Sequence, residues 1–303
     1  MHAVCLTAYK DHAQLVRLIK RFDPSFFKIF VHVDKRKSTF SRLEIDQLRT
    51  LGCEVHKKYG VWWGSFSHLQ AILFLVERAV ANGDVDYVHI ISGQDYPICE
   101  WDEFERRCDG RIFLEYEPLE DEPEHVLRRY QTYNFFYFLQ GASSFTNRLY
   151  RHLYAPSVWL QKLLRMKRRR FGNYRFIFKG CVWCSLPLQA ARLLRGKEAR
   201  QYLKSVRTAF VPEEIYFQTY FLNSELRSLV VNNDLRFTDW TFRNGSLPAF
   251  LDESDARAIG QSTALFARKM DSEISAKLLD IIDERHFASA VVDCQPVGEA
   301  SHS

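Results

Sequence analysis

Three short stretches of this chain group side chains that could do chemistry. Val211-Pro-Glu-Glu-Ile (211–215) sets two carboxylates behind a proline, where a helical pattern begins. A carboxylate there could take a proton, but Pro and acids at a helix start also simply stabilise the helix. Arg268-Lys269 closes an apolar run just before Asp271 and Ser272, either of which could cap a following helix. Two cations beside a positive helix end would suit a diphosphate, although surface cations at a strand end are the plainer reading. Ser-Gly-Gln-Asp-Tyr-Pro-Ile (92–98) leaves the most apolar strand, and its Gly93, Asp95 and Pro97 also make an ordinary turn. Two further motifs point the other way. Cys181-Val-Trp-Cys184 has CxxC spacing but no second ligand pair for zinc, and it alternates within a strand, so it reads as core. Asp84-Val-Asp86 could share a metal, yet it precedes its strand, at the wrong end of a sheet for a ligand. Neither GxGxxG after the first strand nor GxxxxGK[ST] is present.

The elements that must hold these groups alternate regularly in the first third. Strands at 3–9, 26–34, 53–58 and 86–92 are separated by helical patterns at 12–22, 41–52 and 65–83, the last closed by Gly83. Three strand–helix repeats closed by a fourth strand predict a doubly wound, Rossmann-like parallel sheet within an α/β fold. Ligands of such sheets bind beyond the carboxyl ends of the strands, here Tyr9–Lys10, Asp34, Trp62–Trp63 and Ser92–Ile98. The second half is mixed. Helices are expected at 143–166, 187–196, 211–223 and 271–283, and strands at 176–180, 182–185 and 262–269. The expected division is one catalytic domain over 1–288, with a nucleotide-binding half (1–110) and an acceptor half (111–288). The small polar residues of 289–303 predict a disordered tail.

Composition narrows the class. Hydrophobic residues make 47% and charged residues 26% of 303, which excludes a disordered, fibrous or coiled-coil protein. A net charge of +5 and a pI near 8.8 are too mild to require nucleic acid but fit an anionic ligand. Aromatic residues, at 15%, supply ring faces on which sugars could stack. Seven scattered cysteines do not form a disulfide framework. The opening MHAVCLTAYK enters a strand directly, without a leader pattern, and the longest apolar runs fall far short of the roughly 20 residues that span a bilayer. A cytoplasmic protein is expected, with at most peripheral attachment to the inner face of the cell membrane.

SGQDYPI resembles a signature of the core-2/I-branching β-1,6-N-acetylglucosaminyltransferases and the related peptide O-xylosyltransferases. Four more segments fall in the same order: VWWGSFSHLQAIL (61–73), KGCVWCSL (179–186), VPEEIYFQT (211–219) and LFARKMD (265–271). The last three resemble the family's KGSxW, SPDE and FARKFD segments, and together the five span nearly the whole chain. The likeness is to short bacterial-type members, without membrane stem or disulfides.

The resemblance implies a GT-A variant fold and inverting transfer from a UDP-sugar, with no metal bound at a DxD and no other cofactor. Glu214 rather than Glu213 aligns with the family's base. A helix N-terminus would lower its pKa, a handicap that late proton transfer tolerates. Lys269 matches the family's UDP-contacting lysine, with Arg268 beside it and Arg243 nominated as a second phosphate ligand. Asp34 takes the place of a uridine-binding Asp, and Trp63 of an aromatic that touches the nucleotide; a helix-capping Asp and a core Trp are the alternatives. Glu115, Arg128, Arg129 and Trp240 match the acceptor region. The implied acceptor is a glycan or glycolipid. Rivals are xylosyl transfer to peptide, a sugar-binding protein that keeps the fold, and a metal-dependent transferase using Asp84 and Asp86. Arg165-Met-Lys-Arg-Arg-Arg170 follows an aromatic helix and suits an anionic membrane surface, unless that helix packs on the domain and the cluster is a solvated loop.

Overall fold

The computed structural model describes residues 1–36, 40–62, 64–136, 139, 144–166 and 171–293, apart from the side chains of 128, 144, 147 and 286–293. Its first third follows the alternation: β1 (His2–Ala8), α1 (His12–Lys20), β2 (Phe27–Val33), α2 (Arg42–Thr50), β3 (Glu54–His56), α3 (Phe66–Ala81) and β4 (Tyr87–Ser92). These strands run parallel in the order β4-β1-β2-β3. β1 and β4 are buried along their whole length, as strands covered on both faces must be. Local chemistry starts the helices: Asp11 and Ser65 accept from the first turns of α1 and α3, and Ser41 with Glu44 makes a full capping box on α2.

The rest comprises β5 (Asp95–Pro97), α4 (Trp101–Arg107), β6 (Ile112–Leu114), β7 (Glu117–Pro118), α5 (Glu124–Gln131) and α6 (Ser144–Leu163). There follow β8 (Phe178–Lys179), β9 (Cys184–Pro187), α7 (Leu188–Leu193), α8 (Lys197–Val206), α9 (Glu213–Leu222) and β10 (Val230–Asn232). The chain closes with β11 (Arg236–Thr238), α10 (Ala256–Gly260), β12 (Phe266–Arg268) and α11 (Ala276–Asp293). The main sheet is mixed, in the order β10-β6-β9-β4-β1-β2-β3, because β9 lies antiparallel between β4 and β6. Cys184 of the CxxC pair is fully buried in β9, but Cys181 precedes that strand and is only part-buried, so the pair does not alternate within one strand as expected.

Two compact units result. One is Met1–Gly93 with Cys108–Leu235; the other is Gln94–Arg107 with Arg236 onward. This differs from a division near residue 110, since β5 pairs antiparallel with β12 far along the chain, and β12 with β11. α11 also begins five residues later than expected and runs to Asp293, because no Gly or Pro interrupts residues 271–293. Residues 294–303, the remainder of the expected tail, lie outside the described ones.

α9 is the central helix of the first unit. Nine of its residues are buried, on all sides, so no amphipathic period marks it. Gln218 and Thr219 among them meet the backbone of residues 178–181. Thr219 Oγ1 accepts from Phe178 N and donates to Phe178 O, each at 2.9 Å, and Gln218 Nε2 donates to Cys181 O at 2.6 Å. Thr219→Val keeps the shape but orphans both polar groups of Phe178. It should lower unfolding stability by about 2 kcal/mol in urea titration, and Thr219→Ser by much less.

Candidate active site

Chain entry into α9 is tightly specified. Val211, buried and β-branched, holds φ +44°, a conformation such residues rarely adopt, and its N–H donates to Gly64 O at 3.1 Å. α3 begins just after Gly64, so this bond brings the first turn of α9 to the carboxyl side of the sheet, where ligands of such folds bind. The two acids of that turn then diverge by about 100° around the helix. Glu213 is 4% exposed, and its Oε1 lies 3.0 Å from His68 Nδ1 of α3, whose ring meets Trp183 edge-on. Glu214 is only half-buried, and its Oε2 accepts from the buried Tyr130 hydroxyl at 2.8 Å. Burial lifts the Glu214 carboxyl above its ordinary value, and the Tyr130 bond opposes this. The net direction is opposite to the one expected from a helix N-terminus alone.

Backbone and cations frame this acid. Gly180 N donates to Glu214 O at 2.9 Å, and a Cβ on Gly180 would stand 1.9 Å from Glu115 O, so only glycine fits. Lys179 pairs with Glu117 and, at 2.9 Å, with Glu122. Glu115 is exposed and lines a cavity of about 400 Å³ with Tyr116, Glu117, Gly180, Asn232 and Asp234. Its carboxyl is held above the ordinary value by desolvation, then by Asp234 and Glu117. Arg129 is exposed and lines a second cavity of about 590 Å³ between α5 and α6; Arg128 lies on α5, its side chain outside the described ones.

Asp34 ends β2 and is 2% exposed. Its Oδ1 accepts from the amides of Arg36 and Val61 at 2.9 and 3.0 Å, and its Oδ2 pairs with the Arg36 guanidinium at 3.0 Å. Arg36 in turn lies over the Trp62 ring. Asp34 thus organises a loop at the carboxyl edge, and neither helix-capping nor exposed. Trp63 lies outside the described residues.

In the second unit, two of the recognised motifs form one small sheet: Asp95 of SGQDYPI stands opposite Arg268 in the antiparallel β5–β12 register. Both side chains are buried, with Arg268 Nε 3.4 Å from Asp95 Oδ1. Arg268 is therefore an interior ion-pair member and not an exposed cation. Lys269 is half-exposed, its Nζ 3.4 Å from Ser246 Oγ. The expected helix end beside it is a turn, whose amides at Glu273 and Ile274 already donate to Asp271 Oδ1. Arg243 corrects its nomination more plainly. Its guanidinium meets Asp252 and Asp255 at 2.6 Å and Asp239 at 3.2 Å, so three carboxylates already surround its charge. Trp240 is 59% exposed beside the still more exposed Phe242, an aromatic surface on which a sugar could stack.

Sequence reading placed Tyr130 only with Arg128 and Arg129 in the acceptor region and gave no role to His68 or Arg36; the partners of Tyr130 and His68 lie far along the chain. Asp95 was visible only as a turn former. Asp84 and Asp86 do not approach the site: they precede β4, where Asp84 pairs with Lys28 at 3.2 Å and Asp86 with the amino terminus. Among the described residues, metal-capable ligand atoms converge within 4.8 Å at His2, His89 and Cys108, and at Glu115, Cys181 and Asp234. The first group is mostly buried in the core, where His89 also bonds Ser185 at 2.9 Å; the second lies at the Glu115 cavity.

Glu214 thus stands half-buried at the carboxyl side of a Rossmann-like α/β sheet, and comparison with known proteins supplies the family. The sequence model of the Core-2/I-Branching enzyme family matches residues 4–263. The chain belongs to that family. It is 23% identical over 311 residues to Xylosyltransferase sqv-6 of Caenorhabditis briggsae, covering 91% of this chain and 36% of the relative. The Caenorhabditis elegans protein of the same name is 24% identical over 244 residues, covering 76% and 27%. The chain thus spans about a third of the length of these curated relatives. A solved structure, S. aureus TarS 1-349, is similar over 44% of this chain and 41% of its own, at 10% identity and a TM-score of 0.27.

The Tyr130 bond favours ionised Glu214, so its removal must raise the carboxyl further. A base acts only when ionised. In Tyr130→Phe, the acid limb of the kcat/KM–pH profile should therefore move to higher pH. An unmoved limb, or one moved to lower pH, would separate Tyr130 from the base.

Proposed function

We propose that the chain catalyses inverting, metal-independent transfer of a sugar, GlcNAc or xylose, from a UDP-sugar to a hydroxyl of a glycan or glycolipid. The supporting observation is the split between adjacent acids. Glu213 is closed off against His68, whereas Glu214 is half-exposed and hydrogen-bonded at one oxygen by Tyr130. A carboxyl lifted by burial is better matched to proton acceptance near neutral pH.

In this reading the acceptor oxygen attacks the anomeric carbon as the bond from that carbon to the phosphate oxygen breaks. The hydroxyl proton passes to Glu214, and UDP leaves with the bonding electrons. A single displacement inverts the anomeric centre. The departing charge needs a fixed cation, and Lys269 takes that part, since Arg268 pairs with Asp95 and Arg243 with three carboxylates. Asp34 with Trp63 for the uridine, and Glu115, Arg128, Arg129 and Trp240 for the acceptor, complete the assignment. The names of both curated relatives favour xylose, so a screen of UDP-xylose against UDP-GlcNAc decides the donor. A sugar-binding protein that keeps the fold would stabilise with a donor but not turn it over.

Glu214→Gln should lower kcat by about 10² to 10⁴ while donor binding stays near normal. Ionised Glu214 opposes folding, because its folded pKa is raised and stability falls as pH rises through it. The variant's Tm at neutral pH should accordingly equal or exceed the wild type's. Retention of more than half the activity would end the assignment.

Lys269→Ala should weaken UDP binding, measured by calorimetry, while uridine binds as before. Equal loss for both would indicate a damaged fold. Turnover should survive EDTA; complete loss restored by manganese would overturn the metal-free mechanism and turn attention to Glu115, Cys181 and Asp234.

A further inference from the structure

Charge is distributed very unevenly along this chain. Between Glu124 and Glu198 there is no acidic residue, while fifteen Lys or Arg occur, so the remaining residues are net acidic. α6 lies in the middle of this acid-free stretch. Its inward side is fixed: Gln161, 4% exposed, accepts from Tyr133 N at 2.8 Å and donates to Tyr133 O at 3.0 Å, and Tyr150, Tyr154 and Val158 are half-buried. The opposite side is apolar and, among the described residues, uncovered. Phe145 is 73% exposed, Trp159 63%, Leu163 62% and Leu160 47%. Helical geometry places these four within about 100° of arc. Arg148, Arg151 and Lys162, all exposed, fall together along one flank of that stripe, and Arg165 follows at the helix end. Lys162 and Arg165 also line the 590 Å³ cavity that Arg129 lines.

An exposed apolar stripe of this kind marks an interaction surface. A protein partner would need acidic groups all along one edge. A bilayer with anionic headgroups supplies both demands at once, apolar depth for Trp159 and the leucines, negative charge for the flanking arginines. We propose that α6 is a peripheral docking surface for an anionic membrane, lying in the interface plane with its apolar stripe among the acyl chains and its cations at the headgroups. No helix among the described residues is long and apolar enough to cross a membrane, so the attachment is interfacial. The sequence cluster at 165–170 extends the same charge, but the stripe on α6 is what distinguishes lipid from any other polyanion.

The test is co-sedimentation of the full chain with vesicles, reading lipid binding without turnover, so that it stands apart from the transferase reading. Wild type should pellet with phosphatidylcholine vesicles containing phosphatidylglycerol, and little with phosphatidylcholine alone. Leu160→Gln with Leu163→Gln, both at exposed positions, should reduce partitioning at least tenfold. Arg148→Gln with Arg151→Gln should reduce it about fivefold per cation, by about 1 kcal/mol each. Trp159 emission should shift to the blue on binding and stay unshifted with neutral vesicles, Trp159→Phe serving as the blank. Binding to anionic vesicles that is unaffected by both pairs of substitutions would overturn the proposal. So would the absence of vesicle binding, or a wild-type dimer that the leucine substitutions convert to monomer, which would assign the stripe to a second copy.

Discussion

The structure of the first unit depends on a strand hydrogen-bonded to the side of a buried helix. Residues 178–181 run along α9, held by Thr219 at both polar groups of Phe178, by Gln218 at Cys181 O, and by the Gly180 N–H on Glu214 O. Most of a helix's backbone is satisfied internally, so it pins a neighbouring segment chiefly through side chains of the right length, here Gln218 and Thr219. The pinned strand leaves no space at Gly180 and carries Lys179 to Glu117 and Glu122. With α9 fixed on that side and tied to Gly64 through Val211, the orientation of Glu214 is no longer adjustable. Burial in this setting holds the Glu214 carboxyl above its ordinary value.

Pairing among charges explains why several of the groups nominated from the sequence are already engaged within the protein. Burial requires that ionised side chains find partners, and Asp34, Glu213, Arg243 and Arg268 each have theirs. Arg268 and Asp95 illustrate the logic: a buried cation in β12 is tolerable only because the neighbouring strand presents a buried anion. Those pairs build loops and sheet edges. Of the paired groups only Asp34 keeps a proposed binding role; the other described groups proposed for chemistry and binding, Glu214, Lys269, Glu115, Arg129 and Trp240, retain exposure.

The mixed half of the main sheet follows from the same accounting of backbone hydrogen bonds. β4 has β1 on one side and would expose its other edge at the centre of the protein. β9 covers it antiparallel and is covered in turn by β6, an arrangement reached only after ninety residues of intervening chain. The second unit is assembled likewise, from β5 and from β11 and β12, so a motif that reads as a turn in the sequence becomes a strand once its distant partner arrives.

By itself, the sequence determined what local spacing can encode. The strand–helix alternation through Ser92 predicted a parallel sheet because buried strands and amphipathic helices carry distinct periods, and five ordered segments were enough to identify the family. It also placed Glu214 in the first turn of a helix, since Pro and paired acids mark such starts. Tertiary structure alone decided which of two adjacent acids is closed off and which stays half-exposed, because His68 and Tyr130 reach them from elements far apart in the chain. It decided that Arg243 and Arg268 are engaged by carboxylates, that the turn at Asp271 has its amides occupied, and that β9 runs antiparallel. α6 divides the same way: its residues were legible as aromatic and basic, but which side faces water is a property of packing, fixed by Gln161 on Tyr133 and by nothing in the helix's own period.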